Sequence, residues 1–143
     1  MDEKTLSGRL TDAGHELLQR VYFEDTDFSG RVYHARYLHF MERGRSDFLR
    51  LLGIRHTGLA AEGCAFAVRH MTIDFLKPAS IDDVVMVRTS TEHVGGARIV
   101  LRQEIARDDD ILASALVTVA LVDARGRAGR LPDRVRNALA GGH

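Results

Sequence analysis

The pattern of apolar and polar residues divides the chain into one long helix and several strands. From Ala35 to Leu52, apolar residues recur at helical spacing and fill about half of the helical wheel. Gly53 follows the last apolar residue, as is typical of the end of a helix. An apolar face this broad predicts a helix that is covered by other structure on more than one side.

Alternation with a period of two predicts strands on both sides of this helix. The predicted strands, in chain order, are His15–Phe23, Ala65–Pro78, Asp82–Val94, Ala97–Arg107 and Ile111–Asp123. The last of them is apolar on both faces, which predicts a central strand. Parallel sheets need a helix between successive strands. The order therefore predicts an α+β fold, with an antiparallel sheet of about five strands in a meander that curls around one long helix.

The same pattern predicts one domain with two peripheral segments in a chain of 143 residues. Residues 1–14 are polar and without a clear period, and we expect them to be frayed. Residues 15–123 form the predicted domain. Residues 124–143 are rich in glycine and arginine, and we expect a peripheral tail.

Charge and cysteine content exclude several classes of function. The 20 basic and 20 acidic residues cancel, so no general basic field is present for nucleic acid, and little repulsion opposes self-association. The single cysteine, Cys64, excludes an intrachain disulfide and a cysteine-based zinc site, and we predict no metal site. The charged N-terminus and the lack of an apolar run of about 20 residues predict no signal peptide, no transmembrane segment and a cytoplasmic location.

The segment before the helix, EDTDFSGRVYH, contains the candidate chemistry. Backbone N–H groups of a first helical turn lack partners and carry the positive end of the helix dipole. Gly30 can adopt a positive φ, which lets the backbone approach a carbonyl oxygen that becomes an oxyanion. Asp27 can act as a general base or as a nucleophile. The residues alone leave a helix cap as the alternative, although Asp27 stands far upstream of the helical pattern.

This region resembles a known signature. The stretch VYFEDTDFSGRVYHARYLHFMERGRSDFLR is similar to that of the hotdog-fold thioesterases of the 4-hydroxybenzoyl-CoA thioesterase type, in particular the acyl-CoA thioesterase subgroup associated with the Tol-Pal envelope system. The matching positions are Asp25-Thr26-Asp27, Gly30, Val32-Tyr33-His34, Tyr37, Glu42-Arg43 and, more loosely, Asp74–Asp83. Arg31 departs from the signature, where a small or apolar residue is expected.

The resemblance implies a hotdog fold, with sheets joined edge to edge in a homodimer or homotetramer and active sites at the dimer interface. It implies that Asp27 is the catalytic carboxylate and that the backbone N–H of His34 polarises the thioester carbonyl. Glu42 would reach the site or the partner subunit. The side chain of His34 either orients the substrate or forms a hydrogen bond at the start of the helix.

The resemblance further implies a thioesterase that hydrolyses short- to medium-chain acyl-CoA and needs no cofactor, since coenzyme A is part of the substrate. Acyl carrier protein and aromatic acyl-CoA are further donors. The rival hypothesis is a hotdog dimer that binds acyl-CoA or an envelope protein with little turnover.

Several residues are candidates for substrate binding. Gly30 would let the backbone approach the substrate. Tyr33 and Tyr37 would line the acyl pocket, although aromatic residues on such a helix are commonly core. The candidates for the phosphates of coenzyme A are Lys77, Arg98 and Arg102.

Arg45 falls within the apolar arc of the helix. A buried arginine needs a carboxylate, and Glu42, three positions earlier, is the nearest candidate.

Overall fold

A computed structural model describes residues 6–141. Its elements, in chain order, are β1 (Arg9–Leu10), β2 (His15–Arg20), a 3-10 helix (Phe23–Asp25), α1 (His34–Leu51), α2 (His56–Ala61), β3 (Ala65–Phe75), β4 (Val84–Val94), β5 (Arg98–Arg107), β6 (Asp110–Val122) and α3 (Asp133–Gly141). No helix in this part of the chain is long and apolar enough to cross a membrane.

The strands form one antiparallel sheet of six strands in the order β1-β2-β4-β5-β6-β3, and α1 packs against it. The predicted α+β hotdog fold is confirmed. The predicted meander is wrong for one strand, because β3 pairs with β6 rather than with β4. β6 thus lies between β5 and β3, as its apolar character on both faces predicts.

The helix α1 agrees with the predicted range to within one residue at each end. Its buried residues recur every three or four positions: Tyr37, Phe40, Met41, Gly44, Phe48 and Leu49. The first three pack in the same cluster as Val87 of β4 and Val117 of β6. A second cluster surrounds the C-terminal part of α1. Packing along the length of α1 therefore fixes it against the sheet.

Gly44 allows a close approach between α1 and the sheet. A Cβ atom at this position would lie 2.7 Å from Val87 Cγ1 and 3.1 Å from Thr89 Oγ1. Real side chains do not tolerate the first distance, so only glycine fits here without a shift of the helix.

Arg45 has a different partner from the predicted one. Its Nη1 donates to Oε1 of Gln103 on β5 at 3.0 Å, and the Gln103 Nε2 donates to the Met41 carbonyl at 2.8 Å. Burial lowers the pKa of Arg45, and the charge of Glu42 opposes this shift without a direct ion pair between the two described side chains. The predicted pairing with Glu42 is therefore wrong. Gln103 supplies an amide oxygen to the guanidinium from across the core.

Both ends of the chain differ from the predicted segments. Residues 1–5 and 142–143 lie outside the described residues, but Arg9 and Leu10, predicted to be frayed, pair with β2. The predicted peripheral tail contains α3, whose Val135 and Leu139 are buried in the second cluster with Phe48. Apolar residues four positions apart give α3 a face that packs into the core, so the tail is part of the domain.

The outer edge of β3 has no neighbouring strand among residues 6–141. Apolar side chains on this strand are unusually accessible, with Val68 exposed to 49% and Phe75 to 44%. An edge strand with exposed apolar residues is suited to pairing with another chain.

Candidate active site

The segment between the 3-10 helix and α1 forms a small closed loop. An antiparallel bridge joins Thr26 to Val32. Within it, the Asp27 N–H donates to the Arg31 carbonyl at 2.9 Å, and the Gly30 N–H donates to the Asp27 carbonyl at 3.1 Å. Gly30 has a φ of 80°, a left-handed conformation that glycine adopts without strain. The loop therefore holds the backbone of Asp27 firmly while its side chain faces outward.

The carboxylate of Asp27 is exposed and hydrogen-bonded on one oxygen. Its Oδ1 accepts from the Ser29 N–H at 2.8 Å and from the Ser29 hydroxyl. The hydrogen bonds from Ser29, followed by smaller contributions from the Arg31 backbone and charge, lower the pKa of Asp27 below the ordinary range of aspartate. Asp27 is consequently an anion at neutral pH, in the form that a base or a nucleophile requires.

The first turn of α1 has free N–H groups next to this loop. Tyr33 occupies the N-cap position, and no side chain of residues 6–141 caps the helix. The backbone N–H of Tyr33 donates to the Asp25 carbonyl at 3.0 Å, whereas the N–H groups of His34 and Ala35 have no acceptor within the described part of the chain. Asp27 is therefore not a helix cap, and the free N–H groups can receive a carbonyl oxygen.

A surface groove of about 370 Å³ joins these features. Its lining residues are Asp27, Ser29, Arg31, Val32, His34, Tyr37, Phe75, Leu76, Lys77 and Pro78. The His34 ring meets the Phe75 ring edge to face, with centroids 4.8 Å apart. The ring contact orients His34 from β3, and the groove therefore combines an anionic carboxylate, free amides and an apolar wall.

Tyr37 forms part of the buried wall of the groove. Its hydroxyl oxygen accepts a hydrogen bond from the Ala79 N–H at 2.9 Å, and its ring lies 5.5 Å from that of Phe75. Burial raises the pKa of Tyr37, so the hydroxyl remains neutral. Tyr37 thereby anchors the segment between β3 and β4 against α1.

The carboxylate of Asp25 is buried and hydrogen-bonded within the protein. Its Oδ1 accepts from the Arg36 Nε at 3.0 Å, and its Oδ2 accepts from the Tyr22 N–H at 2.9 Å. Only 3% of the residue is exposed. Asp25 therefore connects the 3-10 helix to the first turn of α1, and its proximity to Asp27 in sequence does not make it part of the groove.

Four of the predicted site residues meet at the groove: Asp27, His34, Tyr37 and Lys77. Gly30 shapes the loop beside them. Lys77 extends its Nζ to Asp110 Oδ1 at 2.8 Å, so its charge is shared with a carboxylate.

The other predicted site residues lie elsewhere in this chain. Glu42 is eight residues further along α1 than His34, about 12 Å along the helix axis, and lines a separate cavity with Arg45 and Ser46. Tyr33 is exposed to 56% and is not among the residues that line the groove.

Arg98 and Arg102 are exposed on β5, and neither lines the groove. Arg98 lies at the opposite end of the strand from Arg107, which reaches the Pro78 carbonyl beside the groove at 3.3 Å, and Arg102 lies in the middle. Arg102 is paired with Glu92, with its Nε 3.1 Å from Oε2. A single chain therefore does not bring either arginine to the groove.

Ser29 and Phe75 are groove residues that were not among the predicted site residues, and both contact a predicted one. Ser29 had a local signal, since a serine two positions after an aspartate commonly donates back to its carboxylate. Phe75 lies in the loosely matching segment Asp74–Asp83, but its contact with His34 could not be anticipated, because it depends on the pairing of β3 with β6.

Comparison with known proteins decides the family. Residues 29–114 match the profile of the thioesterase superfamily. The chain belongs to this family. The match begins inside the Asp27 loop and extends through most of the sheet, and the predicted thioesterase resemblance is confirmed at this level.

Individual relatives agree with the family. The chain is 44% identical to the acyl-CoA thioesterase YbgC of Haemophilus influenzae over 115 residues, which cover 80% of this chain and 85% of that protein. It is similar to the crystal structure of a probable thioesterase from Bartonella henselae, with 48% identity, a TM-score of 0.81 and coverage of 84% of this chain and 100% of that one. BH1999, a gentisyl-coenzyme A thioesterase, gives a TM-score of 0.81 at 25% identity, with coverage of 87% and 98%.

Proposed function

We propose that the groove hydrolyses acyl-CoA thioesters, with short- to medium-chain acyl groups as the substrate class. The observation that carries this proposal is that the Asp27 carboxylate and the free N–H of His34 border the same groove. The similarity to the acyl-CoA thioesterase of Haemophilus influenzae supports the choice of coenzyme A as the leaving group. The two catalytic routes described below use no metal and no redox cofactor. Coenzyme A is part of the substrate and is not counted as a cofactor.

Two routes fit the groove. In the first, Asp27 attacks the carbonyl carbon, the C–S bond breaks, the thiolate takes a proton from solvent, and water then cleaves the resulting anhydride. In the second, Asp27 takes a proton from water, hydroxide adds to the carbonyl, and the proton passes to the departing thiolate. In both routes the N–H groups of His34 and Ala35 stabilise the oxyanion.

The phosphates of coenzyme A need cations at the mouth of the groove. Lys77 and Arg31 both line it, and the Arg31 side chain is exposed. Arg31 therefore joins Lys77 as a candidate. Any contribution of Arg98 or Arg102 would have to come from a partner subunit.

We also propose that the site is completed by a homodimer. If the free edge of β3 pairs antiparallel with the same strand of a second chain, the Phe75 end of one strand lies near the Ala65 end of the other. The cavity of about 100 Å³ that Glu42, Ser46 and Phe66 line would then adjoin the partner's groove. In this arrangement Glu42 of one chain would lie close to the groove of the other. The small volume of the apolar cavity suits a short acyl chain.

The first test is Asp27→Asn, assayed against a panel of acyl-CoA thioesters with a thiol-detecting reagent. We expect turnover to fall by about a thousandfold or more, because the reacting carboxylate is lost. The unfolding midpoint should stay unchanged, since the side chain is exposed. Undiminished turnover would remove Asp27 from the mechanism. A wild-type protein that binds acyl-CoA without releasing any thiol would favour the binding module.

Mixing two inactive variants tests the composite site. Asp27→Asn removes the carboxylate, and Ser46→Trp fills the cavity. After random subunit exchange, half of the dimers carry one intact site, so activity should recover to about a quarter of the wild-type value. No recovery, or full activity of Ser46→Trp alone, would contradict a site shared between chains.

The panel should include aromatic thioesters and acyl carrier protein donors. The similarity to a gentisyl-coenzyme A thioesterase makes aromatic acyl groups the second candidate class. The 4-hydroxybenzoyl-CoA type, the association with the Tol-Pal system and a cytoplasmic location stay predictions.

A further inference from the structure

We propose that Ser29 is a positioning residue that determines which oxygen of Asp27 reacts. The proposal rests on the function proposed above, in which the Asp27 carboxylate attacks or activates water. It adds to the site a residue that is not among the matching positions of the sequence signature.

The hydrogen bonds to Asp27 are strongly asymmetric. Both donors of Ser29, its backbone N–H at 2.8 Å and its hydroxyl, bond to Oδ1. The Arg31 backbone N–H adds only a weaker interaction with the carboxylate, and no hydrogen bond of ordinary length from residues 6–141 ends on Oδ2. One oxygen is therefore held by the protein, and the other is free to meet a substrate.

This asymmetry matters because Asp27 is exposed. A solvated carboxylate rotates readily about its terminal torsion, and each orientation presents a different oxygen. Two hydrogen bonds to a charged oxygen restrict that rotation, and they are stronger than those between neutral groups. Ser29 thereby keeps Oδ2 in one orientation, which is the requirement for a productive approach to a carbonyl carbon or a water.

The same contacts stabilise the anionic form of Asp27. The Ser29 hydrogen bonds are the largest cause of its lowered pKa, ahead of Arg31. The other ionisable side chains around the groove are His34, Tyr37 and Lys77. Reactivity that needs ionised Asp27 is present above its pKa and is lost as the pH falls through it. Without the Ser29 hydroxyl, that loss should begin at a higher pH.

The loop offers a matched control. The Thr26 hydroxyl donates to the Phe23 carbonyl at 2.7 Å and does not contact the Asp27 carboxylate. Thr26→Val removes a hydroxyl that supports the loop, whereas Ser29→Ala removes one that holds the carboxylate. A purely structural role for Ser29 would make the two variants behave alike.

The experiment measures pH–rate profiles and kcat and KM separately for wild type, Ser29→Ala, Ser29→Thr and Thr26→Val, with a carbon-13 NMR titration of the Asp27 carboxyl. Ser29→Ala should move the acid limb and the NMR midpoint to higher pH and lower kcat about tenfold, with little change in KM. Ser29→Thr keeps the hydroxyl and should restore both. Thr26→Val should move neither midpoint.

Three results would overturn the proposal. An unchanged acid limb and kcat in Ser29→Ala, with Asp27→Asn inactive, would reject Ser29 and leave the proposed function intact. Equal shifts in Ser29→Ala and Thr26→Val would assign the effect to the loop. Full activity of Asp27→Asn would reject the proposed function, and the positioning role would fall with it.

Discussion

Asp25 and Asp27 stand two residues apart and have opposite environments. Asp25 is buried, and both of its oxygens are used by Arg36 and the Tyr22 N–H. Asp27 is exposed, and both hydrogen bonds from Ser29 end on the same one of its oxygens. The two aspartates of this short segment therefore have different roles. Asp25 fixes the segment against α1, and Asp27 is held by the segment with its carboxylate exposed.

This division explains why the segment contains several carboxylates. The bond from Asp25 to Arg36 fixes the 3-10 helix against the first turn of α1. Glu24 is largely exposed and reaches Arg36 only at 4.0 Å. A rigid support beside an accessible carboxylate is the arrangement expected of a site that must hold a reacting group without burying it.

The largest effect on stability should come from Asp25. Asp25→Asn leaves the Arg36 guanidinium, three-quarters buried, without its charged partner, and we expect the unfolding free energy to fall by about 2–3 kcal/mol. Urea unfolding measures this difference. Asp27→Asn is the matched control and should change the unfolding free energy by less than about 0.5 kcal/mol. Equal losses of unfolding free energy in Asp25→Asn and Asp27→Asn would contradict the different roles of the two aspartates.

Tyr37→Phe should have a smaller effect, because Tyr37 belongs to both the core and the groove. The change leaves the buried Ala79 N–H without an acceptor, and we expect it to reduce the unfolding free energy by about 1–2 kcal/mol. Turnover should fall only severalfold, since the hydroxyl is already bonded to the backbone. A loss of turnover as large as that of Asp27→Asn would place the Tyr37 hydroxyl in the chemistry itself.

The parts of the fold that depend on local patterns were predictable. The range of α1 follows from its apolar period and from Gly53, and the structure agrees. The Asp27 loop and the free N–H of His34 could be anticipated because a turn and a helix start adjoin in sequence. The opposite roles of Asp25 and Asp27 could not, since burial depends on where Arg36 is placed.

The remaining features depend on contacts between distant residues. Nothing in β3 indicates that it pairs with β6, and the partner of Arg45 lies 58 residues away at Gln103. The helix α3 had a weak local signal in its apolar residues, but its packing around Phe48 depends on the completed sheet. Such pairings are set by the whole fold rather than by any one segment.

Because Gly44 has no side chain, it also affects the position of the N-terminal end of α1, ten residues away. The backbone of α1 touches Val87 and Thr89 at that point, so the depth at which the helix sits in the sheet is fixed midway along its length. Because a helix is stiff, a larger distance between α1 and the sheet at Gly44 would also displace both ends of the helix. The position of the proposed oxyanion donor, the N–H of His34, therefore depends on a contact ten residues further along the helix, outside the groove.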